Sequence, residues 1–145
     1  MNAYSFFQHL HSGFRYIVMV LFIYTLIMAL LGWLGRRPYT NTNRLSNLFA
    51  MISAHTQLLI GIVLYFLSPL VAFNSTTMKD PVTRYFTVEH WVMMLIAIAL
   101  ITVGHSKSKK LVLPEAKHKI IALFYGFALL IIVGALAAGK ISILK

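Results

Sequence analysis

The sequence predicts an all-α integral membrane protein, an up-down-up-down bundle of four helices. Three observations predict it. Hydrophobic residues make up 59% of the 145 positions and charged residues only 11%, with a mean hydropathy of +0.80, a balance foreign to soluble globules. Four apolar runs are long enough, alone or with their flanks, for the roughly 20 residues that cross a hydrocarbon core. The thirteen lysines and arginines, behind a net charge of +10, concentrate in the connections between those runs. That placement reports membrane topology and argues against a nucleic-acid partner.

The first run, Tyr16 to Leu34, has no basic segment before it and no small-residue cleavage site after it, so it is expected to stay as a membrane helix. Its helix is expected over 5–35, with Ser5 as a candidate N-cap and Arg36-Arg37-Pro38 beyond its end. Polar turn residues follow, and Thr42 or Asn43 is placed to cap a second helix over 43–68 that stops where Pro69 constrains the residue before it. Residues 70–77 read as an extended connection. Asp80-Pro81 restarts the chain as cap and first helical residue of a third helix over 81–106. This run reaches a spanning length only if Glu89 and His90 belong to its edge. Leu113-Pro114-Glu115 opens the fourth helix, over 114–139, and a brief tail remains. Such short connections force neighbours to run antiparallel.

Arg36, Arg37 and Arg44 lie between runs one and two, and Lys107, Lys109, Lys110, Lys117 and Lys119 lie between three and four. The excess of basic residues in cytoplasmic loops then puts both connections inside and both termini outside. No cysteine is present, which excludes disulfides, thiolate metal sites, iron–sulfur clusters and covalently attached haem. Any cofactor must be held mainly by histidine.

Topology converts position into depth. His11 lies at the start of the first span and His90 at the start of the third, so both belong to the outer level on helices that descend together. His9 and His11 point about 200° apart on one helix, so only one faces inward. His11 is the better inward member, with a stripe through Arg15, Val18, Phe22, Thr25, Ala29 and Gly32, while His9 looks outward. From His90 the stripe continues through Met94, Ala97, Ile101 and Gly104. The pair is open to two readings, structural hydrogen bonding or haem ligation. Arg15 reads as an anchor to headgroups or a partner for a haem propionate. Glu89 is placed to orient the imidazole of His90 or take a proton, set against the rule that adjacent helical residues do not face each other.

His55 sits well within the hydrocarbon, where an ionisable side chain is rare and points to function. It lies beside a small and polar stripe of Ser53, Gln57 and Gly61. His105 and His118 fall nearer the inner surface by roughly two to three turns, which weighs against a second ligand pair. With His9, they are expected to face water and headgroups.

The phrases HLHSGFRY, AHTQLLIGIVLYF and TVEHWVMMLIAIALITVGHSKSK make the chain resemble small four-helix b-type cytochromes of the bacterial inner membrane, in which haem sits between helices and exchanges electrons with quinol. The resemblance implies an inner-membrane location, haem b ligated by His11 and His90, and His55 as a further ligand or a quinone contact. The expected function is membrane electron transfer. The alternatives are a non-catalytic accessory subunit of a larger respiratory or transport complex, a small membrane enzyme with a histidine metal site, and a transporter built by oligomerisation.

Overall fold

The computed structural model describes residues 2–69, 71 and 78–144. Four long helices form the fold: α1 (Ala3–Leu34), α2 (Asn41–Leu67), α3 (Pro81–Lys110) and α4 (Pro114–Leu144). Each is long and apolar enough to span a membrane. Among the described residues there is no strand. The bundle is square in section: α4 packs along α1 and α3, α2 packs along α1, and α2 meets α3 more sparsely. This leaves α1 and α3 facing each other across the interior. The connections after α1 and α3 lie at one end, here called the basic end; the chain termini mark the other, the terminal end.

The predicted stripes are the buried ones. α1 buries Val18, Phe22, Thr25, Ala29 and Gly32; α3 buries Ala97, Ile101 and Gly104 and extends the stripe through His105 and Ser108. Alanine and glycine are frequent at these contacts because small side chains let helix backbones approach where lipid offers no hydrophobic drive to pack. The closest approaches are at glycines. A Cβ on Gly104 would stand 2.4 Å from Phe124 Cβ, and one on Gly32 would stand 2.5 Å from three ring atoms of His118. The opposite faces carry large apolar groups such as Tyr16, Val20, Leu34 and Phe66, all more than 60% exposed. They form the lipid-facing surface that spanning helices need.

Helix ends depart from expectation by a few residues, for identifiable reasons. Asn2 caps α1, its side chain accepting from the Ser5 amide at 2.8 Å. Thr40, not Thr42 or Asn43, caps α2. Asn43 is the third helical residue and reaches back to the Thr40 amide at 2.9 Å, closing a reciprocal box. α1 ends with Arg36 in the left-handed region at φ 51° and the Arg37 amide bonded to the Gly32 carbonyl at 3.0 Å. That bond satisfies a terminal carbonyl at the strain of a non-glycine residue in this conformation. Asp80 and Pro81 start α3 as predicted. The Thr83 hydroxyl and amide bond the Asp80 carboxylate and hold it below the usual carboxylate range. α3 runs four residues past its expected end, and α4 continues through the expected tail to Leu144. The extended stretch predicted over 70–77 lies outside the described residues apart from Val71.

Candidate functional site

His11 stands eight residues, about 12 Å, below the start of α1, and His90 nine residues, about 13 Å, below the start of α3. Equal depth on facing helices brings their rings together. The ring centres are 6.4 Å apart with planes at 69°. The His11 ring makes no hydrogen bond to a described residue. Its Nε2 lies over Gly61, where an added Cβ would be 3.3 Å away, so the missing side chain leaves the ring its space. The Gln57 amide donates to the His11 carbonyl at 2.8 Å and ties α2 to α1 at this level.

His90 is held differently, by a feature no periodicity in the sequence announces. Residues Tyr85–Glu89 form one π-helical turn inside α3, closed by a bond from the His90 amide to the Tyr85 carbonyl. Five residues of α-helix would turn Tyr85 and His90 about 140° apart. The wider turn stacks them instead, and the Tyr85 hydroxyl lies 3.2 Å from His90 Nδ1. That hydroxyl also donates to the Ala135 carbonyl of α4. A phenol has one proton, and a carbonyl only accepts. The contact with His90 therefore has Nδ1–H as donor, which leaves Nε2 as the nitrogen with a free lone pair. Gly139 makes the arrangement possible, since a Cβ there would stand 2.6 Å from Tyr85 Cζ.

Arg15 is half-buried one turn below His11. Its guanidinium lies 5.3 Å from the Tyr16 ring centre, and its charge acts on both imidazoles. Glu89 does not orient His90. It pairs with Arg84 at 2.6 Å, because the π turn directs it along its own helix rather than toward the ring, and Tyr85 fills the orienting role. His9 faces outward as expected, exposed, with Nδ1 donating to the Ser5 carbonyl at 2.7 Å. Beside His90, where α2 and α3 diverge, lies a crevice of about 470 Å³ lined by Ile62, Tyr65, Phe66, Thr87, Val88, Trp91 and Val92. It opens toward the lipid side, where Phe66 is 80% exposed. The Tyr65 hydroxyl donates to the Thr87 carbonyl at 2.7 Å across it.

His55 does not join this pair. Its Nε2 lies 2.9 Å from the Thr102 hydroxyl of α3. Thr102 precedes His105 by three residues, about 4.5 Å of rise, so the depth gap between His55 and His105 is under one turn rather than two or three. The expectation that His105 and His118 face water is overturned: they are 3% and 2% exposed. Close helix contact covers them. His118 seats against Gly32 and the Tyr39 ring, with Nε2–H donating to the Pro38 carbonyl at 3.2 Å. Around it, Asn47 donates to the Tyr39 hydroxyl at 2.7 Å and Tyr125 to the Asn47 carbonyl at 2.8 Å. Burial pushes the Tyr39 phenol above its usual range, against the opposing pull of Asn47, Ser108 and Arg44.

Among the described residues no three His, Asp or Glu side chains converge on one point. Compared with known protein families, curated proteins and solved structures, the chain finds no match.

Proposed function

We propose that the chain is a membrane electron-transfer protein that holds b-type haem between His11 and His90 and exchanges electrons with a lipid-soluble quinol. The observation that carries this reading is the meeting of two imidazoles, 6.4 Å between centres, from opposite sides of the bundle interior. Two facing imidazoles at that separation would be able to hold one metal ion between them, and imidazole is a ligand suited to iron. His90 also has the attribute of a ligand: its second nitrogen donates to a fixed partner, Tyr85, which sets the tautomer and the ring direction.

Bound haem supplies reversible one-electron exchange at iron. The chain's own residues supply the rest. Arg15, without a carboxylate partner among the described residues, offers a cation to a propionate. Gly61 gives the His11 ring room to turn, and the apolar helices keep the pair dry. The crevice beside His90 gives a quinol ring an approach from the lipid at the same level. With the basic end facing the cytoplasm, the pair belongs to the outer half of a bacterial inner membrane.

The test is an ultraviolet-visible spectrum of the purified protein, oxidised and reduced, with and without added haem. A Soret band is expected in the native chain and is lost in both His11→Ala and His90→Ala. A colourless protein that gains no band from haem, and that co-purifies with larger membrane subunits, would establish the accessory-subunit reading instead.

A further inference from the structure

His105 is 3% exposed, and neither of its ring nitrogens has a hydrogen-bond partner among the described residues. A neutral imidazole carries one donor and one acceptor, so both are stranded. Gln57 Oε1, on α2, is stranded as well. That side chain belongs to the α1 side of α2, where its amide nitrogen meets the His11 carbonyl, whereas His55, two residues earlier on the helix, is turned to α3. The Thr102 hydroxyl gives its only proton to the Ile98 carbonyl at 2.8 Å, so at its 2.9 Å contact with His55 it accepts from Nε2–H. The lone pair of His55 Nδ1 is left over. It makes no hydrogen bond to a described residue.

The unmet nitrogens of His105 and His55 thus follow one another along the seam between α2 and α3, the most sparsely packed pair of neighbours in the square. The well-bonded cluster at the same end gives them nothing. His118, Tyr39, Asn47 and Tyr125 spend their contacts on one another and on nearby backbone, and Lys117 Nζ donates to the Ser108 carbonyl. Each stranded group in a dry seam costs about 1–3 kcal/mol, and native proteins rarely leave such groups unmet. Ordered water resolves all of them. A chain of this size holds about five buried waters, each taking two to four polar partners.

We propose that the seam between α2 and α3 is a hydrated proton-uptake path, in which water carries protons from the basic end through His105 to His55. Lys109 and Arg44 stand at the entrance and act electrostatically on His105, as does His55. His105 accepts a proton on one ring nitrogen and releases one from the other, and His55 takes it up on Nδ1 while its Nε2–H stays on Thr102, so protons move and no electron does. The path requires no haem and stands independently of the electron-transfer reading.

The full chain, labelled with ¹⁵N-histidine and reconstituted in phosphatidylcholine bilayers, tests this by water-to-nitrogen magnetisation transfer in solid-state NMR. The rings of His105 and His55 are expected to gain signal from water within about threefold of the exposed His9, and about tenfold faster than the buried, carbonyl-bonded His118. His105→Gln keeps a donor and an acceptor but cannot relay a proton. In that variant water contact at His55 persists, while exchange of its ring proton slows about tenfold. A His105 ring as dry as that of His118 overturns the proposal, a comparison that needs no variant. So does a hydrated His55 whose ring proton exchanges at the native rate in His105→Gln.

Discussion

His118 at the basic end and the His11–His90 pair at the terminal end show two opposite ways of holding buried histidine. At the basic end the His118 ring is clamped by Gly32 and Tyr39 and spends its proton on the Pro38 carbonyl. At the terminal end His11 makes no side-chain hydrogen bond to a described residue, and His90 is held from one side only, leaving its second nitrogen directed elsewhere. One arrangement consumes the chemistry of imidazole and the other preserves it. The lesson is that burial alone does not mark a functional histidine; what separates the two kinds is the number of ring nitrogens left uncommitted.

Six substitutions test that contrast. The largest effect is expected from His118→Ala, which leaves a void and strands a carbonyl: about 2–4 kcal/mol of stability lost, read from thermal unfolding in detergent, with any haem spectrum retained. His11→Ala should do the reverse, unfolding within about 1 kcal/mol of the native chain while abolishing the Soret band that the proposed haem site predicts. Next comes Gly139→Ala, whose Cβ would meet Tyr85 at 2.6 Å. Overpacking there should cost about 1–3 kcal/mol, whereas Gly134→Ala, with nothing within 4 Å, should be neutral or stabilising by up to about 1 kcal/mol.

Tyr85→Phe should cost about 1 kcal/mol and, in ¹⁵N spectra of the haem-free protein, move His90 away from a pure Nδ1–H tautomer. A tautomer population equal to the native one would show that Tyr85 does not set it. Smallest of all, Glu89→Gln removes an exposed ion pair with Arg84 and should change stability by about 0–1 kcal/mol, vanishing in high salt.

Much of the architecture was legible because membrane helices announce themselves by run length, and their inner faces by stripes of small residues. The His11 stripe through Gly32 and the His90 stripe through Gly104 are the buried faces, and reading depth from topology placed His11 opposite His90. Three things escaped. The π turn at Tyr85–Glu89 shifts the register by a fraction of a turn and leaves no trace in hydrophobic spacing, so nothing pointed to Tyr85 as the partner of His90. His105 and His118 lie beside lysines, and a basic neighbourhood reads as surface even where helices close over it. The depth of His55 was counted along its own helix, which does not reveal how far α3 slides past α2. Only the Thr102 contact fixes that offset.

The seat of Tyr85 has a consequence for how the molecule is made. Its phenol belongs to α3, but the carbonyl and the glycine that receive it, Ala135 and Gly139, lie 21 and 25 residues past the start of α4. Until that stretch of the fourth span has left the ribosome and docked, His90 has no orienting partner. The terminal-end site is therefore finished late in synthesis, after His11 and Gly61 are already threaded. Anything loaded between the two imidazoles is held in its final geometry only once the last helix is home.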